Sequence, residues 1–362
     1  MPLPDSDPAR YAAQLADKAD WFVAHFAGLG APPPEVFASA PLHYRLRAEF
    51  RVWHHDDGFD FAMFDPDNPK RPILMRDFAP AAEPINRAMH AMHPLILANT
   101  TLKHRLYAVE FLATLSGDLL LTLIYHRKLD EAWETEARAL AAALGCAVIG
   151  RSKGQKQVLE RDWVDESFEL DGRTLHYRQI EGAFSQPNGG VNRQMLGWAR
   201  ARAAGLGGDL LELYCGNGNF TLALAPLFDR VLATEMSKTS IRAALHNQAR
   251  NGIDNLALVR MASEEISAAL AGDEQFQRLK EIDLASYRFT TLFVDPPRSG
   301  LDPATLALAA GFDNILYISC NPLSLLDNVA ALAATHRIAA SAVFDQFPYT
   351  HHMECGLLLQ KR

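Results

Sequence analysis

From about residue 190 onward, short apolar runs alternate with stretches of helical spacing, and few architectures accommodate that rhythm. The runs fall at 209–213, 230–234, 257–260, 291–294, 314–319 and 356–360. Each has strand length, and the segments between them have helix length. The alternation predicts a doubly wound, mostly parallel α/β sheet. The first half reads differently. A helix is expected over 8–27, with Trp21, Phe22 and Phe26 continuing the apolar side of Leu15, and three consecutive prolines in 30–34 break it. Residues 48–53 alternate, 54–58 turn, and 59–64 run back; 107–115 and 119–125 flank Ser116-Gly117-Asp118 as a second hairpin. Asp130 is placed to cap a helix over 131–144. We therefore expect an α+β region over 1–180 and a doubly wound domain over 181–362.

Composition narrows the class. Of 362 residues, 49% are apolar and 22% charged, enough for a sizeable core and incompatible with global disorder. No apolar run approaches the ~18 residues that span a bilayer, and the Pro/Asp-rich start from Met1 to Arg10 does not read as a signal peptide. Cys146, Cys215, Cys320 and Cys355 form no CxxC pair, which argues against a disulfide framework, a zinc ribbon and a cysteine-ligated iron–sulfur cluster. A soluble, cytoplasmic protein is the expectation. The net charge of -8 sits awkwardly with a nucleic-acid partner, but between 41 and 160 the charges cancel and seven histidines are added. Basic residues cluster there in short groups: Arg45, Arg47 and Arg51; Lys103 and Arg105; Arg127 and Lys128.

The strand Leu210 to Leu213 runs into Tyr214-Cys215-Gly216-Asn217-Gly218-Asn219-Phe220, a Gly-x-Gly turn opening a helix. Glycines let the backbone approach a ligand and take positive φ. About twenty residues on, at the end of the next strand, Glu235 is placed to accept from ribose hydroxyls. Threonine at 221, where a dinucleotide site favours a third glycine, and the acidic Glu212 on the strand favour S-adenosylmethionine (SAM) over NAD.

Three further segments carry chemistry. In Asp295-Pro296-Pro297-Arg298 the prolines turn the chain outward at a strand's C-terminal end and aim Asp295 at the ligand crevice. Some amino-methyltransferases place an aromatic after such prolines; Arg298 stands there instead. Cys320, in Ser319-Cys320-Asn321-Pro322, lies at a strand edge, where a thiolate is suited to adding to an electron-poor pyrimidine ring. Glu354 directly precedes the last apolar strand, where desolvation raises a carboxyl pKa toward general-base range. His351, His352, Glu354 and Cys355 do not form a metal site, because neighbours on an extended chain point to opposite faces.

Together with Phe184-x-Gln186-x-Asn188, His352-x-Glu354 and the stretch from His43 to Arg51, these motifs resemble the RNA uridine-5-methyltransferases over nearly the whole chain. The resemblance implies a Rossmann-like SAM-dependent domain behind an N-terminal RNA-binding domain. It implies methylation of uridine carbon 5 in the tRNA T-loop, at position 54, through a covalent cysteine–uracil adduct, with T-loop-like sites in tmRNA as further targets. Cys320 would be the nucleophile and Glu354 the base. Gln186, Tyr214, Asn219, Glu235 and Asp295 would contact SAM or hold the base beside it. The ribosomal-RNA members of the family often carry an added N-terminal β-barrel and cluster cysteines, and neither is visible here. Arg47, Arg51, Phe111 and His126 are candidates for contacting RNA and filling the space a flipped base leaves. A monomer is expected, with the tRNA T-arm as partner and no membrane, metal or iron–sulfur cluster. Two readings compete: a non-catalytic RNA-binding module on a methyltransferase frame, and an NAD-dependent enzyme.

Overall fold

The computed structural model describes residues 6–65, 68–272 and 274–362, so the first part of the Pro/Asp-rich start lies outside the described residues. The chain opens with helix α1 (Tyr11–Phe26) and the short strand β1 (Glu35–Phe37). Gly30, at φ 72°, ends the helical run, as a residue without Cβ can. Next come β2 (Arg47–His55), β3 (Gly58–Asp65), β4 (Asn68–Met75), α2 (Glu83–Ala98), the single turn α3 (Thr100–Lys103), β5 (Leu106–Ala113), β6 (Leu119–Tyr125), α4 (Glu131–Leu144), β7 (Ala147–Ser152) and β8 (Gln155–Val158). These strands form one sheet in the order β4-β3-β2-β5-β6-β7-β8. Neighbours run antiparallel except β6 and β7, whose parallel pairing needs the crossover that α4 supplies. Asp130 caps α4, its Oδ1 accepting from Trp133 N at 2.9 Å.

Strand periodicity decides which face of this sheet is core. Ala48, Phe50 and Val52 on β2, with Val109 and Phe111 on β5, pack under α2 and α4 against Met89, Met92, Trp133 and Ala137. Arg47, Glu49 and Arg51 alternate with them and take the other face.

The hairpin β9 (Trp163–Leu170) and β10 (Arg173–Ile180) precedes the second sheet but shares its core: Phe168, Leu175 and Tyr177 pack with Val191, Met195 and Leu210. The rest of the chain runs α5 (Gly189–Ala203), β11 (Asp209–Leu213), α6 (Asn219–Leu224), β12 (Val231–Thr234), α7 (Lys238–Asn251), β13 (Leu256–Val259), α8 (Ser263–Ala271), β14 (Phe289–Val294), α9 (Pro303–Ala309), β15 (Asn314–Ser319), α10 (Pro322–Leu332), β16 (His336–Phe344) and β17 (Glu354–Lys361). The sheet order is β1-β16-β17-β15-β14-β11-β12-β13. Strands β11 to β15 are parallel, and β17 inserts antiparallel between β15 and β16. The doubly wound, mostly parallel sheet is thus present. Its order reverses beside β11, between β12 and β14, and there the C-terminal strand ends open a crevice for ligands.

The sheet also recruits the chain's beginning. β1 pairs parallel with β16, and Phe22 and Phe26 of α1 sit in one core cluster with Leu211, Leu213 and Leu292. Residues 11–37 and the hairpin 163–180, assigned from sequence to the N-terminal region, are therefore built into the C-terminal unit. Both follow from apolar content. The first sheet's core is already closed by α2 and α4, and α1 finds its unpaired apolar partner on the other sheet.

Candidate active site

At the end of β11 the chain makes a backbone that only some residues accept. Tyr214 has φ 62°, and Gly216 and Gly218 have 57° and 84°. The glycines take this region freely, whereas a tyrosine there is strained, and such strain gathers at ligand sites. The Tyr214 hydroxyl donates to Ser263 Oγ at 2.8 Å, which holds the ring in place. Glu235, at the end of β12, accepts from Gly216 N at 3.1 Å and Ser237 N at 2.6 Å. It braces the loop and keeps spare lone pairs for a ligand hydroxyl. Asn219 exchanges two amide hydrogen bonds with Asn192, at 2.9 and 2.8 Å, which locks its orientation at the start of α6. Tyr214, Gly216, Asn219, Asn192 and Glu235, with Gln186 and Asp295, line a cavity of about 400 Å³.

A second cavity, about 540 Å³, is lined by Arg45, Phe184, Gln186, Asp295, Cys320 and Glu354, among others. Sheet register explains why Cys320 and Glu354 meet there. β15 and β17 are antiparallel with Ser319 opposite Cys355, so Cys320 and Glu354 are the next residues beyond that rung and share the sheet's rim. The parallel pairing of Val294 with Tyr317 brings Asp295 to the same rim, and Pro296 and Pro297 end β14 there. Phe184, Gln186, Asp295 and Pro297 border both cavities, so the two spaces adjoin.

The rim is rich in buried acid. Glu354 is 4% exposed and its Oε2 has no hydrogen-bond partner. Burial, reinforced by the charge of Asp295 and opposed by Arg298, holds its pKa well above the usual carboxylate range. Burial also pushes Asp295 up to about 7. Glu212, whose Oε2 is likewise unpartnered, rises to about 8, mainly by burial and further by Asp295. The Cys320 thiol is pushed up to about 11 by burial and by the charges of Glu354 and Asp295, with Arg298 opposing. Arg298 Nη2 donates to His352 Nδ1 at 2.9 Å, and Asn321 Nδ2 holds the Arg298 carbonyl at 2.7 Å. Cys320 is partly exposed, whereas Cys215 and Cys355 are buried. Among the described residues no group of three His, Cys, Asp or Glu could hold a metal, and no helix is long and apolar enough to cross a membrane.

The family model for tRNA (uracil-5-)-methyltransferase matches residues 10–362. The chain belongs to the tRNA (uracil-5-)-methyltransferase family. It is 66% identical over 361 residues to the tRNA/tmRNA (uracil-C(5))-methyltransferase of Azoarcus sp. (strain BH72), covering 100% of this chain and 99% of that one. It is 64% identical to the protein of the same name from Dechloromonas aromatica (strain RCB), covering 100% of both. Among solved structures it resembles a Pyrococcus abyssi tRNA (uracil-54, C5)-methyltransferase in complex with S-adenosyl-L-homocysteine, with TM-score 0.71 and 19% identity over 96% of this chain and 83% of that one. That likeness carries the fold alone. Family membership leaves the NAD-dependent reading without support.

Gln186, Tyr214, Asn219, Glu235 and Asp295 all line the first cavity, and Cys320 and Glu354 line the second. The RNA candidates divide. Arg51 lies over the Tyr107 ring, 3.5 Å from its centroid, and His126 stacks on the same ring at 3.8 Å, near the start of the central strand β5. Arg47 is turned inward, its Nη1 donating to the Ala183 carbonyl at 2.8 Å, and ties the first sheet to the loop carrying Phe184 and Gln186. Phe111 is a correction: at 2% exposure under α2 and α4, it has no surface to offer an RNA. Its apolar alternation with Val109 on β5 carried that information. Sequence reasoning also missed Arg45 and did not single out Phe184, which is 69% exposed over both cavities. An exposed aromatic inside a quoted motif was signal enough for Phe184; for Arg45, one of several clustered arginines, nothing marked it.

Proposed function

We propose that this chain transfers the methyl group of SAM to carbon 5 of a uridine in the tRNA T-loop, position 54, forming 5-methyluridine, and that it also acts on T-loop-like sites in tmRNA. The observation that carries the reading is the shared rim: a partly exposed thiol and a buried carboxyl on adjoining strands face one cavity, and that cavity adjoins a nucleoside-sized one at Asp295. The names borne by relatives at 64–66% identity support the substrate. SAM suits the first cavity on the chemistry of its donors. Glu235 offers acceptors for ribose hydroxyls, and the unpartnered Glu212 oxygen and the half-buried Asp295 favour a cationic ligand. SAM bound there supplies the electrophilic methyl group.

The residues then divide the work. The Cys320 thiolate adds to carbon 6 of uracil, and the displaced π pair makes carbon 5 nucleophilic. Carbon 5 takes the methyl group, and the donor leaves as a neutral thioether. Glu354 removes the carbon-5 proton, the freed pair re-forms the carbon 5–carbon 6 double bond, and the Cys320–carbon 6 bond breaks with its electrons returning to sulfur. Burial opposes the thiolate, and Arg298 is the cation that favours it. Glu354 must be ionised to act, so its raised pKa makes the last step faster as pH rises. The target base leaves its stack at a cost of a few kcal/mol, which phosphate contacts of the first sheet offset. Arg51 and His126, on the Tyr107 platform, belong to that surface. We take the chain to work as a monomer in the cytoplasm.

Unmodified tRNA transcript incubated with methyl-labelled SAM, then digested to nucleosides, tests the reading. Label in 5-methyluridine with the wild type and none with Cys320→Ala is expected. Label in any other nucleoside, or persisting with Cys320→Ala, sinks it.

A further inference from the structure

Helix α1 reaches the active site through one buried side chain. Lys18 is 5% exposed, and its ammonium group makes three bonds: to Asp345 Oδ1 at 2.6 Å, to the Phe347 carbonyl at 3.0 Å and to the His352 carbonyl at 2.7 Å. An ammonium has three donors, so all are used, and all three acceptors lie in the single loop 345–353 between β16 and β17. Asp345 is fully buried and also accepts from Gln14 Nε2 at 2.7 Å. The bonds fall at both ends of the loop. At one end, Asp345 precedes Gln346, whose Nε2 donates to Gln186 Oε1 at 2.5 Å and so fixes an amide that borders both cavities. At the other end, His352 lies two residues before Glu354 and accepts from Arg298.

We propose that Lys18 is a positioning residue for the catalytic base: by stapling the two ends of loop 345–353 it sets Glu354 against Cys320 and fixes Gln186 beside the bound uracil. The inference rests on the methyl-transfer reading above. It goes beyond it by giving the N-terminal helix a part in the reaction, although Lys18 touches neither substrate. Stability alone is a weak reason to bury this pair, since an apolar pair of similar volume serves a core as well or better. What an apolar pair cannot do is hold two backbone carbonyls of one loop from a single point. Apart from Lys18, the His352 end of the loop is held from outside by the Arg298 side chain, through its bond to the His352 ring, and by the buried Met353 side chain; neither holds a backbone carbonyl of the loop. Thr350 Oγ1 accepts from His352 N at 3.2 Å, but that bond lies within the loop and moves with it.

The reaction separates positioning from folding. Adduct formation and methyl transfer need Cys320, whereas release of the methylated RNA needs Glu354 in place. In full-length Lys18→Met, SAM binding is expected to stay within about twofold, while turnover on tRNA falls about 10- to 100-fold, as sub-ångström to ångström misplacement of a reacting group allows. KM for tRNA should move little. The signature is a covalent enzyme–RNA complex that survives denaturing gel electrophoresis and carries the methyl label, accumulating in the variant and sparse in the wild type. Lys18→Met with Asp345→Asn removes the lone buried charge and guards against simple unfolding. It restores the melting temperature without restoring the two carbonyl bonds, so slow release should persist. Recovery of release together with the melting temperature would reduce Lys18 to a structural residue and overturn the proposal, as would wild-type turnover and adduct levels in Lys18→Met. Wild-type label transfer, abolished by Cys320→Ala in the same experiment, reports on the methyl-transfer reading separately.

Discussion

Replacing Asp295 by asparagine is expected to stabilise the ligand-free protein at and above neutral pH while impairing the reaction. Burial raises the Asp295 carboxyl from 3.8 to about 7, so the folded protein holds this proton more tightly than the unfolded chain does. Below about pH 4 both states carry the proton, and the group is neutral to stability. As pH rises through the window from about 4 to about 7, the unfolded chain loses its proton freely, whereas the folded protein must ionise a partly desolvated group. Stability is therefore lost across that window. A difference of roughly three pKa units, at about 1.4 kcal/mol each, sets an upper bound on the order of 4 kcal/mol, which the partial solvent exposure of the carboxyl lowers. An unfolding entropy of about 2 cal/mol/K per residue converts that bound to roughly 5 °C in melting temperature for a chain of this length. Asparagine has the same shape and no charge, and its presence also relieves Glu354 and Glu212 of a like-charged neighbour. Thermal unfolding of wild type and Asp295→Asn, without SAM or RNA, is measured from pH 4.5 to 8. The quantity read is the difference between the two curves, in which groups that do not sense Asp295 cancel, so that it reports Asp295 together with its coupling to Glu354 and Glu212. The variant should gain on the wild type steadily with pH. A difference that does not change with pH, or that moves toward the wild type, refutes the argument that Asp295 is strained by its burial.

Two further outcomes are expected. Glu354→Gln keeps shape and removes the base, so turnover should fall by about 10²- to 10⁴-fold while the methylated covalent complex persists on a denaturing gel; full turnover would remove Glu354 from the mechanism. Arg51→Ala should weaken tRNA binding and lower the slope of log affinity against log salt by about one; an unchanged slope would take Arg51 off the phosphate-binding surface.

The second domain was legible in sequence because each of its strands is a short apolar run bounded by breakers, and five of the six expected runs pair as parallel neighbours around β11. The last run, 356–360, forms a strand too, but it is antiparallel, and nothing in its own residues says so. Direction is set by the loop 345–353, which is too short for a crossover and returns the chain beside β16. That reversal matters for the proposed mechanism, since it is what puts Glu354 opposite Cys320. The pair proposed for catalysis was thus readable as residue types, while their meeting was a property of register. The N-terminal helix illustrates the other limit. Its apolar side was plain from Trp21, Phe22 and Phe26, but an amphipathic helix does not state which core it joins, and Lys18 on its buried side reads as an ordinary surface lysine. Phe111 was misjudged because an aromatic on a strand was weighed by chemistry before its alternation with Val109 had been followed.

The negative net charge finds its explanation in how the arginines are spent. Arg45 and Arg47 are drawn inward, Arg45 to the rim of the cavity holding Cys320 and Arg47 to the loop preceding α5. Arg151 is bound to Glu181 through two bonds of 2.6 Å, and Arg161 to Asp118 through bonds of 2.7 and 2.6 Å. One set of outward basic groups gathers at one end of the first sheet. Arg127 donates to the carbonyls of Thr101 and His104, and His126 N donates to the Arg105 carbonyl at 3.0 Å. Those bonds bring together Lys103, Arg105 and Lys128 beside the stacked Arg51, Tyr107 and His126. A polyanion responds to local potential within about a Debye length, ~8 Å at physiological salt, and not to the sum over the chain. An acidic protein can therefore hold RNA by one basic end. The buried Glu212 and Glu354 and the half-buried Asp295 lie, in the proposed mechanism, where a cationic methyl donor and then a proton are received.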